Sequence, residues 1–151
     1  MTRVFAPAAE TARVDFAQPL DAAAPRLRCA FGAPRQVLLA QQVDEVETML
    51  RLSEIESIVG VKEASGDILQ ACSIIEEMRK AGRDFFVYSG EDPVTFLMLC
   101  LGGQGCIAAV GHVLGAEFSR MCRLVWEGRI EEARELHFRV LPLVRALFCE
   151  P

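Results

Sequence analysis

The sequence predicts an α/β fold built on a parallel sheet. Short β-branched or aromatic runs recur at 57–61, 85–88 and 105–110. Each leads through a small-residue turn into a stretch whose apolar residues return at helical spacing. Crossovers of that length join parallel strands, whereas antiparallel neighbours need only a hairpin.

Residues 1–42 differ from the rest. Alanine, proline and arginine crowd together, as in Ala22-Ala23-Ala24-Pro25-Arg26, and prolines stand at positions 7, 19, 25 and 34. Neither a 3.6-residue period nor a strand alternation is sustained, so a disordered leader is expected. An ordered partial domain is expected over 43–128, followed by a helical region over 129–151.

The first helix is expected from about Val43. Val46, Met49, Leu50 and Ile55 approximate one face, and Asp44, Glu45 and Glu47 place negative charge at its start. The strand at 57–61 runs into Lys62, then into Ala64-Ser65-Gly66-Asp67, where Asp67 is a capping residue. The next helix, 67–81, carries Ile68, Ala71, Cys72, Ile75 and Met78 on one side and meets Gly82 at its end. After the strand at 85–88, Asp92 is expected to cap a short helix with Pro93 in its first position. The third strand is followed by a Gly111-His112 loop and a helix over 115–127. A last helix presents Ile130, Ala133, His137, Val140, Leu141, Val144 and Leu147 to the core, with a kink at Pro142.

Composition narrows the function classes. The 151 residues are 52% hydrophobic and 25% charged, which suits a packed core. A net charge of −5 gives no reason to expect nucleic-acid or anionic-membrane binding. No run of about 18 apolar residues marks a membrane span, and the first residues do not form a signal peptide, so a cytoplasmic protein is the expectation. Five of the six cysteines sit in apolar segments and none forms a C-x-x-C pair. Buried free thiols are expected, with no metal site.

The residue that stands out is Lys62. Lysine is rarely buried, yet this one ends an apolar strand. It either turns outward as a structural residue or is held where its amine is needed. In an apolar pocket an amine loses its proton more readily and attacks carbonyl carbon. Residues at the carboxyl ends of parallel strands are those that carry chemistry in such folds, and Lys62, Ser89-Gly90 and Gly111-His112 all fall near those ends.

Ile58-Val59-Gly60-Val61-Lys62-Glu63-Ala64-Ser65-Gly66-Asp67 resembles the Schiff-base lysine motif of the dihydrodipicolinate synthase and N-acetylneuraminate lyase family. Tyr88-Ser89-Gly90-Glu91-Asp92 is similar to that family's next strand end, and Leu101-Gly102-Gly103-Gln104-Gly105-Cys106-Ile107 to its last barrel strand. Leu141-Pro142-Leu143 and Leu147-Phe148-Cys149-Glu150-Pro151 are similar to its segment after the barrel. The resemblance covers 46–151. It implies a partial (β/α)8 TIM barrel, comprising the last three strand–helix units plus one extra C-terminal helix. It also implies a class I aldolase-type lyase in which Lys62 forms an imine with pyruvate. The resulting enamine adds to aspartate semialdehyde on the route to lysine. Gly90 and Ile107 would bind substrate, with no cofactor and no metal.

The departures from the family pattern are specific. His112 stands where many members carry asparagine, and Ala108 where they carry serine. A 2-keto-acid aldolase such as N-acetylneuraminate lyase is the neighbouring alternative, although Glu63-Ala64-Ser65-Gly66 favours the dihydrodipicolinate branch. The family's Gly-Thr-Thr-Gly-Glu carboxylate turn, its Tyr-Asn-x-Pro proton relay and the arginine that binds the second substrate have no match. A truncated or frame-disrupted product is one expected origin of the leader. The chain alone is therefore expected to be inactive or nearly so. A second class of function is a non-catalytic half-barrel, a homo-oligomer or a complementing fragment. Of the two histidines, His137 is expected in the core and neither is expected to bind metal.

Overall fold

The computed structural model describes residues 3–5, 36–40 and 46–149. Its strands are β1 (Arg3–Phe5), β2 (Gln36–Ala40), β3 (Ile58–Glu63), β4 (Phe86–Ser89) and β5 (Gly105–Ala108). Its helices are α1 (Val46–Leu52), α2 (Ile68–Lys80), α3 (Thr95–Cys100), α4 (Gly111–Trp126) and α5 (Ile130–Leu147). A single 3₁₀ turn, Asp92–Val94, leads into α3. The strands form one sheet in the order β1-β5-β4-β3-β2. All neighbours from β2 to β5 run parallel, and β1 joins β5 antiparallel.

Two strands therefore lie inside the 1–42 stretch read as a leader; the rest of that stretch falls outside the described residues, as does Cys29. Strand β2 is Gln-Val-Leu-Leu-Ala, an apolar run too short to stand out from its Ala/Pro/Arg-rich surroundings. The parallel sheet consequently has four strands among the described residues, one more than expected.

Successive residues of a strand face opposite sides of a sheet. Val61 on β3, Val87 on β4, and Cys106 and Ala108 on β5 all belong to the helix-side core. Under α1 and α2 they meet Met49, Ala71, Ile74, Ile75 and Met78. Under α3, α4 and α5 they meet Phe96, Leu99, Phe118, Met121, Cys122, Ala133 and Val140. Lys62, Tyr88 and Ile107, at the alternate positions, share the opposite face.

Local chemistry fixes the α2 boundaries. The Asp67 carboxylate accepts from the N–H groups of Leu69 (2.8 Å) and Gln70 (3.3 Å), two donors the helix cannot satisfy internally. At the other end Gly82 takes φ +61°, and Arg83 N–H reaches back to the Met78 carbonyl while Gly82 N–H reaches Arg79. The buried stripe passes through Ile74, and Cys72 is exposed.

Other boundaries depart from expectation. Gly111 and His112 form the first turn of α4 instead of a loop. The irregularity inside α4 is at Leu114 (φ −111°, ψ 29°), whereas α5 continues through Pro142. On α5, Leu136 joins the buried face and Leu147 is exposed. Cys106 and Cys122 are buried as expected, but Cys72, Cys100 and Cys149 are exposed, because each lies off its helix's inner stripe or beyond its end.

His137 is in the core as expected. It stacks on Phe96 with ring centroids 5.4 Å apart and meets Phe138 edge-on at 5.3 Å. Burial holds its imidazole below the ordinary histidine value, and the positive charge of Arg145 adds to the effect.

Two predictions follow from these contacts. Asp67→Ala removes the α2 cap and should lower unfolding free energy by about 1 kcal/mol in urea titration, with Asp67→Asn close to wild type. His137 is held neutral in the folded chain, so the unfolded chain binds more protons in this range. Stability should be complete above the ordinary histidine value and decline as pH falls through it. In His137→Phe, urea midpoints at pH 7.5 and 5.5 should differ less than in wild type.

Candidate active site

The carboxyl ends of β3, β4 and β5 lie side by side, and the sequence-predicted residues are on them. Lys62 is half-buried, one residue before the end of β3, and pairs in register with Tyr88 of β4. Its strand neighbours Val61 and Glu63 point to the other side and are buried. Glu63 stabilises the turn beyond the strand: its Oε1 accepts from the Ser65 N–H at 2.9 Å, and Ser65 Oγ accepts from the Asp67 N–H at 3.0 Å. The strand carrying the lysine thus passes through a bonded turn into the capped start of α2.

Gly90 follows the last residue of β4 and packs directly against this end of β3. Its N–H donates to the Glu63 carbonyl. A Cβ placed on it would come within 2.6 Å of Ala64 Cβ, 2.8 Å of the Glu63 carbonyl oxygen and 2.9 Å of Lys62 Cε. Only a residue without a side chain lets the β4 turn lie along the lysine stem. Ile107 is half-buried on β5. Extending the register of Ser89 with Cys106 by one residue sets it level with Gly90. The fold therefore brings Lys62 and Gly90 into contact and places Ile107 on the far side of β4.

Three neighbours were not identified as site residues from the sequence. Tyr88 is 2% exposed, its ring tilted against Phe86 with centroids 6.1 Å apart, and burial pushes its phenol up to about 12. At neutral pH it is a hydrogen-bond donor and not a base. Glu91 is raised above the usual carboxylate range, by burial first and then by the charges of Asp92 and Glu63, with Lys62 opposing. Asp92, read as a helix cap, does not cap the turn that it begins, where Glu91 is the N-cap residue. It is buried, and its Oδ2 accepts from the Val110 N–H at 3.0 Å. The strand alternation could have flagged Tyr88, since it shares the lysine's parity across the register. The Asp-Pro pair concealed Asp92, because that dipeptide is equally a helix-start signal.

Hydroxyls brace the β4 turn from behind. Ser89 Oγ donates to the Glu91 carbonyl at 2.9 Å, and Thr95 Oγ1 lies 3.2 Å from both Ser89 Oγ and that carbonyl. Ala108 is buried on the helix side, and His112 is exposed on the first turn of α4. Among the described residues no three His, Cys, Asp or Glu side chains cluster as a metal site. A groove of about 500 Å³ lined by Leu99, Gly103, Val125, Trp126 and Ile130 lies before the start of β5, at the opposite ends of the strands. None of the lysine's neighbours line it.

An amine on the sheet face away from the helices, a backbone pressed against its stem and the nearby carboxyl groups of Glu91 and Asp92 make an arrangement suited to carbonyl chemistry. Comparison with known proteins gives this arrangement a lineage. The sequence profile of the dihydrodipicolinate synthetase family matches residues 39–151. The chain is 41% identical over 107 residues to 4-hydroxy-tetrahydrodipicolinate synthase 1 of Halalkalibacterium halodurans, covering 71% of this chain and 35% of that one. The crystal structure of dihydrodipicolinate synthase from Thermotoga maritima superposes with a TM-score of 0.66 at 38% identity, over 70% of this chain and 36% of that one. The Acinetobacter baumannii dihydrodipicolinate synthase, a chloride-inhibited structure complexed with pyruvate, gives 0.69 at 27% identity, over 77% and 40%. The chain spans about a third of the length of the curated relatives it matches. The match begins inside β2 and takes in every later strand and helix, the strand carrying Lys62 included: the chain belongs to the dihydrodipicolinate synthetase family.

Proposed function

We propose that this chain carries the Schiff-base half of a pyruvate-dependent lyase site of the dihydrodipicolinate synthase type. The observation that supports this most directly is the contact between Gly90 and the Lys62 stem, at the carboxyl end of β3 and on the face away from the helices. In this reading β2 to β5 are successive strands of a (β/α)8 barrel. The partial barrel, expected over 43–128, then extends back to β2, and 129–151 begin the helical region that follows it. The neutral amine attacks the ketone carbon of pyruvate, and the carbonyl oxygen leaves as water once protonated. A protonated imine remains on Lys62. Loss of a methyl proton then gives the enamine, whose carbon attacks an aldehyde, with aspartate semialdehyde as the proposed acceptor. Gly90 and Ile107 line the pyruvate side of the pocket.

The full reaction needs a carboxylate clamp and a proton relay as well as the nucleophile. Neither is matched in the sequence, so the 151-residue chain alone is proposed to form the imine without completing the condensation. A second reading, a non-catalytic half-barrel that associates with itself or with a complementary fragment, has its own support. β2 stands at the end of the described sheet with one edge unpaired there, and Phe138, Leu147 and Phe148 are exposed on and just beyond α5.

Incubation with pyruvate, borohydride reduction and peptide mass spectrometry tests the first reading. A reduced pyruvate adduct confined to Lys62, and absent from Lys62→Ala, is the expected result; no adduct, or adducts spread over Lys80 as well, would remove the support. Gly90→Ala should slow adduct formation by at least tenfold and lower stability by about 1–3 kcal/mol, since the new methyl group meets backbone as well as the lysine stem.

A further inference from the structure

Asp92 has a cost that its own turn does not explain. It is 3% exposed, and Oδ1 has no hydrogen-bond partner among the described residues. Burying a carboxylate with an unpaired oxygen is unfavourable, and an apolar side chain of similar size would fill the space without that penalty. What the carboxylate does make is a long-range bond. Oδ2 accepts from the N–H of Val110, 18 residues away, at the residue preceding α4. The two segments thus joined are the turn carrying Gly90, two residues before Asp92, and the end of β5 carrying Ile107, three residues before Val110. The Asp92 side of that bond is itself held in place: Ser89 and Thr95 hydroxyls both engage the Glu91 carbonyl.

We propose that Asp92 is the positioning residue of the Lys62 site: by holding the Val110 N–H it fixes the end of β5 against the β4 turn, and so sets where Gly90 and Ile107 stand around the lysine amine. The proposal rests on the lyase reading above for its functional consequence. Asp92 acts through the two backbone segments and touches neither the reacting carbon nor the amine. Burial raises its carboxyl above the usual range, while the backbone N–H groups of Val110 and Ala109, and then the Lys62 charge, pull it back. The balance is that of a group kept for its acceptor oxygen in spite of its surroundings.

Three variants of the full chain test this. Asp92→Asn keeps a carbonyl oxygen to accept from Val110. Asp92→Ala removes the acceptor. Val110→Pro removes the donor at a position whose φ, −67°, already suits proline, so it serves even where the alanine variant does not fold. The rate of borohydride-trapped pyruvate adduct at Lys62 should fall by about tenfold in Asp92→Ala and in Val110→Pro, as expected for losing a bond to a charged group. It should fall no further in the double variant than in Asp92→Ala alone, because the alanine has already deleted the contact that the proline removes. Asp92→Asn should stay within about threefold of wild type. Wild-type rates in Asp92→Ala and Val110→Pro, additive losses in the double variant, or an Asn variant as slow as the alanine one would each overturn the proposal. If the wild-type chain itself traps no pyruvate, the lyase reading fails, and positioning is judged from amide NMR alone. The Gly90 and Ile107 resonances should keep their places in Asp92→Asn and move in Val110→Pro; no movement in the proline variant overturns the proposal independently.

Discussion

The structure depends on one constraint: a strand in a parallel sheet must show its two faces to two different environments. On β3 that constraint separates Val61 and Glu63 from Lys62 by a single residue in each direction. The valine is sealed beneath α1 and α2, and the glutamate is bonded into the turn that starts α2. The lysine is left on the face where no helix of the described chain packs. A one-residue slip in pairing would bury the lysine side chain among Ile74, Ile75 and Met78 and expose Val61 and Glu63, so the register is strongly specified. The position of the amine is a by-product of packing the other side.

The same constraint explains why the surrounding turns are so closely fitted. Because β3 and β4 are adjacent and in register up to Glu63 and Ser89, whatever follows Ser89 must pass over the end of β3. Gly90 does so with no side chain, and the hydroxyls of Ser89 and Thr95 support the chain as it turns away. The site's shape comes from backbone held by backbone and by short polar side chains. Such a wall carries little side-chain entropy, so its shape is preorganised.

How much of this was legible in the sequence depended on whether a residue's reason is local. The β3 strand and the α2 cap were readable because β-branched runs and an Asx-type helix start act over a few residues. So was the oddity of Lys62, because burial preference belongs to the residue itself. β2 was missed because four apolar residues among prolines and arginines become a strand only by pairing with β3, a contact made across a helix. The start of α4 was misplaced because Gly111 and His112 are poor helix formers whose position is set by the sheet beneath them. Within the site, Gly90 could be named through family likeness, but the reason for it, the approach of Ala64 and the Lys62 stem, exists only in three dimensions. Asp92 was assigned the wrong partner: its bond to Val110 spans a whole strand–helix unit.

The burial of Tyr88 has an optical consequence. It is the chain's single tyrosine, so every change in phenolate absorbance reports from beside Lys62. Its ionisation is displaced upward by burial, which means that the folded chain holds the phenolic proton more tightly than the unfolded one. The stability it contributes is complete below the ordinary tyrosine value and is lost as alkali carries the pH upward towards about 12. Alkaline unfolding and the ultraviolet signature of tyrosinate are thereby coupled, and the chain contains its own indicator for the wall of its proposed pocket.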